Sequence, residues 1–422
     1  MTVMADRTYV IVGASLAGAK AAEALRDAGF DGRVLLVGDE RERPYERPKL
    51  SKEILKGDKP RHKAFVHEEG WYDEHHVELR LGTAVTALHR EEHQVELAGG
   101  ERIGYDKVLL ATGSSPRRLE VSGGDLDGIH YLRRIGESER LRDELSAGGS
   151  LVVVGGGWIG LEVAAAARHH GASVLLVEPQ PTPLYGVLGP EVGEVFADLH
   201  RGHGVDLRTG LGVDGFEGED GRVTGVRTSD GTVHEASRVV VGVGIRPNTR
   251  LAEQAGLEVD NGVVVDDLLQ TSDPDVYAAG DVANAWNALL QTRLRIEHWA
   301  NAANQGTAAG RSMAGQGEPN AKLPYFFTDQ YDLSMEYHGY VPRDEGDEVV
   351  LRGDPRAESA ASWLTFWLGS GRVLAGMNVN DWDAADGIKR LARARATVDP
   401  ARLADPDVPL AELADEATGG RS

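Results

Sequence analysis

Two short glycine-rich runs carry the residues best placed to do chemistry. Residues 13–18 read GASLAG and residues 155–160 read GGGWIG. Each follows a short apolar β-type run and opens an alanine-rich helical pattern. In that setting a glycine turn brings backbone N–H groups and a helix N-terminus against a dinucleotide pyrophosphate. In the first run Gly13 supplies the tight turn, small Ser15 stands where a middle glycine is usual, and Gly18 permits close helix–strand packing. In the second run Gly155, Gly157 and Gly160 are all glycine. An acid follows each loop, about 20 residues on, where a carboxylate accepts ribose hydroxyls: Asp39 after the first, Glu178 after the second. Glu178 would also repel a 2′-phosphate, and no basic residue occurs between Glu178 and Glu191, so the second loop favours NADH over NADPH.

The elements that position these loops are legible as apolar runs. Strand signals at 9–12 and 34–37 flank the first loop and its helix, and signals at 151–154 and 174–177 flank the second. Two strand–glycine–helix–strand units predict two nucleotide-binding modules, one holding a resident nucleotide and the other an exchanging one. Further β-type runs lie at 108–111, 239–243, 263–265 and 276–279. From about Pro324 aromatic residues become frequent, which predicts a third, strand-rich unit closed by a helix near 384–395. Prolines 400, 406 and 409 then break the pattern, and the acidic stretch after Leu410 is expected to be partly disordered.

Composition narrows the chemistry. The 422 residues allow roughly three domains. With 45 basic against 67 acidic residues the net charge is −22, which argues against nucleic acid or an anionic membrane as a partner. No apolar run reaches the roughly 18 residues of a membrane span, and the start MTVMADR lacks a signal-peptide core, so the expected location is the cytoplasm. The chain has no cysteine, which removes thiolate nucleophiles, disulfides and Cys-ligated metal, and assigns any redox chemistry to a bound cofactor. Histidines pair at 75–76 and 169–170 without the i, i+4 spacing and acid of a zinc hydrolase, and no GxSxG elbow occurs; no metal is expected.

The run RPYERPKLSK at residues 43–52 resembles the PYxRPxLSK segment of FAD- and NADH-dependent ferredoxin reductases serving cytochrome P450 and ring-hydroxylating dioxygenase systems, the putidaredoxin reductase and biphenyl dioxygenase reductase type. ATG at 111–113, TSDPDVYAAGD at 271–281 and IEHWANAANQG at 296–306 extend the resemblance, which runs from residue 8 to about 395 and is shared in part with apoptosis-inducing factor. It implies an α/β fold: two Rossmann-like domains in a glutathione-reductase-like arrangement plus a C-terminal α+β domain. The implied divisions are a discontinuous FAD domain at 1–118 and 245–323, an NADH domain at 119–244, a C-terminal domain at 324–405 and an acidic tail at 406–422.

The resemblance also implies site residues. FAD contacts would come from Gly13, Ala17, Gly18, Asp39, Lys52, Val85, Arg133, Asp281 and Trp299, and further cofactor contacts from Ser15, Arg47, Ala111, Thr112, Gly113, Gly244, Glu297, His298 and Phe327. NADH contacts would come from Gly155, Gly157, Trp158, Ile159, Gly160 and Glu178. Asp281 has a reason of its own, because a carboxylate after a strand and a glycine can bind ribityl hydroxyls. Lys52 and Glu162 would pair beside flavin N5, the cation stabilising charge on the reduced ring, and Trp158 would stack beside the nicotinamide. The implied partner is a two-iron ferredoxin and, through it, a P450 or oxygenase. Lys389, Arg390, Arg393 and Arg395 form the basic group available to receive an acidic protein. One departure is FFTDQ at 326–330, where the reductases commonly read FWSDQ and Phe327 replaces a tryptophan. A rubredoxin or monodehydroascorbate-type reductase, or a redox-responsive binding flavoprotein resembling apoptosis-inducing factor, are the rival readings; disulfide reductases are excluded by the lack of cysteine.

Overall fold

The computed structural model describes residues 7–356 and 362–419. Its first unit is built on a five-stranded parallel sheet in the order Val276–Ala278, Lys107–Leu110, Thr8–Val12, Arg33–Val37, Val77–Arg80. Helices and a three-stranded antiparallel sheet, Val85–His89, Gln94–Leu97 and Arg102–Gly104, share one core with it, so its central strands read as continuous apolar runs rather than alternating ones. The helix Leu16–Asp27 leaves the first glycine loop and lies along a second helix, Trp299–Met313. Gly306 and Gly310, four apart on one face of the latter, make that approach possible: a Cβ at Gly306 would fall 2.3 Å from the carbonyl oxygen of Ala17.

The second unit repeats the plan. Its parallel sheet runs Val205–Thr209, Ser173–Glu178, Ser150–Val154, Val239–Val241, Ile129–His130. The chain enters it through Ser114–Pro116 and returns through Ile245–Pro247, and these two segments pair antiparallel. Thr112 and Asn248 lace them together: Thr112 Oγ1 donates to the Asn248 carbonyl at 2.9 Å, and Asn248 Nδ2 to the Thr112 carbonyl at 2.8 Å.

The third unit is a five-stranded antiparallel sheet, Tyr325–Gln330, Leu333–Gly339, Arg372–Val379, Trp363–Gly369, Glu348–Arg352. Alternation divides its strand WLTFWLG between two cores. Trp363 and Trp367 face the second unit, whereas Leu364, Phe366 and Leu368 face the helices Ala385–Ala394 and Leu410–Thr418. The last helix corrects the expectation of a partly disordered tail. Leu410, Leu413, Ala414 and Ala417 form an apolar stripe on the domain, while Asp415 pairs with Arg390 and Glu416 with Arg402. The acidic residues that read as solvating thus occupy one face of an amphipathic helix. Residues 420–422 lie outside the described residues.

Candidate functional site

A single cleft of about 840 Å³ runs from the first glycine loop, between the first and second units, to the edge of the third. At its start Gly13 has φ +122°, and a Cβ there would meet the Ala111 carbonyl oxygen at 2.1 Å. Only glycine lets the turn pass this close to the neighbouring strand end. The second loop has the same construction: Gly155 has φ +102°, and a Cβ would sit 2.5 Å from the carbonyl oxygen of Gly242.

Beside the first loop stand two arginines with incomplete pairing. Arg47 donates to Ser15 Oγ and to Glu40, both at 2.8 Å, while its Nε is buried without a partner. Tyr45 donates to the same Glu40 at 2.6 Å and fixes it. Arg133 reaches Asp281 Oδ2 only at 3.5 Å, and that oxygen also accepts from Ser114 Oγ at 2.7 Å. Burial, reinforced by the charge of Arg47, pushes Arg133 down to about 10. Two half-buried guanidinium groups next to a helix N-terminus and a glycine turn could hold a doubly charged anion such as a pyrophosphate. At the rim, Asp39 is held by Arg134 at 2.6 Å.

Where the units meet, Lys52 Nζ lies 2.6 Å from Glu162 Oε1, with side chains only 9% and 3% exposed. Glu162 comes from the helix Trp158–His169 of the second unit and Lys52 from the turn before Glu53–Lys56 of the first. Ser51 donates to Glu162 Oε2, and Thr328, from the third unit, donates to Oε1 at 2.7 Å. A carboxylate that accepts from an ammonium and two hydroxyls is fixed in orientation. The Lys52 ammonium also stands 5.5 Å from the centre of the Phe327 ring, so the phenylalanine at the departure from FWSDQ retains an aromatic face toward this cation. His298 caps the helix Trp299–Met313, its Nδ1 accepting from Ala300 N at 3.2 Å; burial, aided by the Lys52 charge, pushes it down to about 4 and keeps the ring neutral. Trp158 lines the cleft and also packs at 4.3 Å between ring centres against Phe326 of the third unit.

Of the cofactor-binding and catalytic residues expected from the sequence, all but Gly18, Val85, Gly155, Gly160 and Glu178 line this cleft. Gly18 and Gly160 serve it from beneath, each so close to its loop that a Cβ would meet the carbonyl oxygen of Gly13 or Gly155 at 2.1 or 2.0 Å. Glu178 is buried at the second loop, its two oxygens accepting from the backbone N–H groups of Gly156 and Gln180 at 2.6 and 2.8 Å. It is therefore a fixed negative charge, not a mobile surface acid. Val85, on the strand Val85–His89, packs against the first unit's core away from the cleft. Of the basic group at 389–395, Arg390 is paired with Asp415 and Arg395 with Glu345; Lys389 and Arg393, one helical turn apart, face solvent.

Sequence reasoning missed Ser51, Ser114, Arg134 and Thr328. Thr328 carried a signal, since alternation along Tyr325–Gln330 puts Phe326, Thr328 and Gln330 on one face and Tyr325 and Phe327 on the other. Among the described residues no group of three His, Asp or Glu is placed to hold a metal ion, and no helix is long and apolar enough to cross a membrane.

Residues 7–306 match the model of a family described as pyridine nucleotide-disulphide oxidoreductase, and residues 325–414 match one described as reductase C-terminal. The chain is 40% identical to the ferredoxin–NAD(+) reductase component of the anthranilate 1,2-dioxygenase system of Burkholderia cepacia, over 96% of this chain and 99% of the relative. It is 37% identical to the putidaredoxin reductase of Pseudomonas putida, over 97% of each. Among solved structures, the covalent complex of putidaredoxin reductase with putidaredoxin contains a chain that superimposes with a TM-score of 0.93, covering 98% of this chain and 99% of that one.

Proposed function

Because the chain belongs to the pyridine nucleotide-disulphide oxidoreductase family and aligns end to end with ferredoxin–NAD(+) reductases, we propose that it is an NADH-dependent ferredoxin reductase. It would hold FAD along the first glycine loop and feed a two-iron ferredoxin that serves a P450 or ring-hydroxylating oxygenase. In balance, one NADH and two oxidised ferredoxins become NAD+, two reduced ferredoxins and one proton. FAD supplies the conversion between a two-electron donor and one-electron acceptors; the protein supplies everything that positions it.

The observation that carries this reading is the continuity of one cleft from Gly13 through the Lys52–Glu162 pair to Trp158 and Phe327. The donor set fits FAD: the Gly13 turn and the Arg47 and Arg133 guanidiniums suit a pyrophosphate, Asp39 suits an adenosine ribose and Asp281 ribityl hydroxyls. Lys52 would place positive charge beside the reacting edge, with Glu162 holding the ammonium in place. Trp158 would cover the nicotinamide side and exclude water. Glu178, buried and fixed at the second loop, supports NADH over NADPH, since a 2′-phosphate would have to approach a carboxylate that cannot swing away.

The absence of cysteine separates this chain from the disulfide chemistry in the family's description. The exposed pair Lys389 and Arg393 is a narrower basic feature than the four residues expected from the sequence, and supports at most a local contribution to docking. The test is NADH-driven reduction of cytochrome c through added two-iron ferredoxin. Turnover that requires the ferredoxin is expected; NADH oxidation that no ferredoxin accelerates would refute the reading.

A further inference from the structure

Behind Glu162 the polar contacts continue inward, away from the cleft, through side chains that no step so far has used. Gln330 Nε2 lies 3.2 Å from Thr328 Oγ1, His200 Nε2 lies 2.8 Å from Gln330 Oε1, and Tyr331 Oη lies 3.3 Å from His200 Nδ1. Thr328, Gln330 and His200 are each fully buried. The direction of every bond is set by the carboxylate at the end. Glu162 Oε1, which also receives Lys52 Nζ, accepts from the Thr328 hydroxyl. The Thr328 oxygen then accepts, which turns the Gln330 amide N–H toward it and the Gln330 carbonyl toward His200. That carbonyl requires the hydrogen of His200 on Nε2, and the bare Nδ1 receives the hydroxyl of Tyr331. Burial pushes His200 down to about 4, in keeping with the neutral imidazole this order demands.

We propose that His200 and Gln330 are positioning residues for the Lys52–Glu162 pair, acting through a one-directional chain of donors that ends on the Glu162 carboxylate. The chain joins the helix Tyr185–Gly202 of the second unit to the strand Tyr325–Gln330 of the third, while Ser51 and Lys52 reach the same carboxylate from the first. Every unit is thus tied to one buried charge. A backbone anomaly marks the outer end. Tyr331, in the two-residue connection between Gln330 and Leu333, has φ +55°, a left-handed conformation unusual for a bulky residue. Its ring stacks on His203 at 3.7 Å, and its hydroxyl meets His200. A glycine or asparagine would relieve that backbone and lose both contacts. Gln330 cannot pass a proton along its amide without becoming an imidic acid, so the chain orients donors and does not conduct. Its effect is to keep Thr328 donating to Glu162, and so the carboxylate oriented and the Lys52 ammonium fixed at the cleft.

This inference rests on the flavin reading above, and its test separates the two. In FAD-loaded protein, the flavin midpoint potential and the limiting rate of flavin reduction at saturating NADH are compared for the parent, His200→Leu and His200→Gln. His200→Leu removes the donor; His200→Gln restores an N–H near the position of Nε2. The expected result is a more negative potential and a roughly tenfold lower limiting rate in His200→Leu, because Lys52 is held less firmly. The apparent NADH dissociation constant should stay within about twofold, and His200→Gln should return potential and rate toward the parent. Should His200→Leu not fold, Gln330→Met cuts the same chain one bond closer and must give the same shift. Parent-like potential and rate in a folded variant that cuts the chain, or a His200→Gln protein as impaired as His200→Leu, would overturn the proposal. A parent whose flavin NADH does not reduce would instead sink the functional reading.

Discussion

Lys52 and Glu162 are brought together from two units and buried as a pair, with the ammonium facing the Phe327 ring and the cleft. Replacing Lys52 by Met keeps the stem and deletes the charge. We expect the limiting rate of flavin reduction to fall by roughly tenfold or more, measured by stopped flow at saturating NADH, and an unchanged rate would remove Lys52 from its role. Glu178 makes a different prediction, about discrimination and not rate. Glu178→Ser should narrow the preference for NADH over NADPH by about tenfold, through weaker NADH binding and loss of repulsion toward the 2′-phosphate. The place of Glu178 was legible from local backbone logic, an acid at a strand end after a turn that only glycine allows, whereas Lys52 and Glu162 were expected from the family resemblance. Ser51 and Arg134 were not legible, because their partners Glu162 and Asp39 lie far away in sequence and only tertiary packing selects them.

The parallel sheets and the helices that follow the glycine loops were readable from apolar runs, with strand ends displaced by a residue or two. Thr8–Val12 and Ser150–Val154 each begin one residue before the apolar run that announced them. The helix pair Leu16–Asp27 and Trp299–Met313 was not readable as a pair, although Gly306 and Gly310 were in view, since glycine in a helix reads as a weakness until its neighbour is known. Gly306→Val would drive the helices apart. A loss of about 1–3 kcal/mol is expected in denaturant unfolding, together with weaker FAD retention; parent-like stability would contradict the close approach. The closing helix Leu410–Thr418 escaped detection for the opposite reason. Its charge was conspicuous and its stripe of four apolar residues was short.

At the level of the whole molecule, three units share one buried carboxylate, and several buried histidines are kept neutral. His200 and His298 are both pushed down to about 4 by burial, whereas in the unfolded chain such groups titrate near 6.5. Between these values the unfolded state binds more protons. Their contribution to stability is therefore complete above about pH 6.5 and lost as the pH falls toward about 4. The thermal midpoint should fall across this window, and His200→Gln, which has no imidazole to protonate, should show a shallower fall. An equal slope in the two proteins would contradict the buried neutral His200.

Family membership, the two Rossmann-like units and the ferredoxin reductase resemblance were all carried by motifs at 13–18, 43–52, 155–160 and 271–281, and the matches over residues 7–306 and 325–414 agree with them. What joins the units, the Glu162 node, could not be read from motifs, because it exists only where three separate folds meet. The most direct measurement of the central claim is anaerobic sequential mixing. FAD-loaded protein is first mixed with one equivalent of NADH and then with excess oxidised two-iron ferredoxin, while flavin absorbance is followed. The account predicts bleaching in the first step and full recovery of oxidised flavin in the second, with two ferredoxins reduced per NADH. Flavin that bleaches but stays reduced in the presence of every two-iron ferredoxin tried would contradict it.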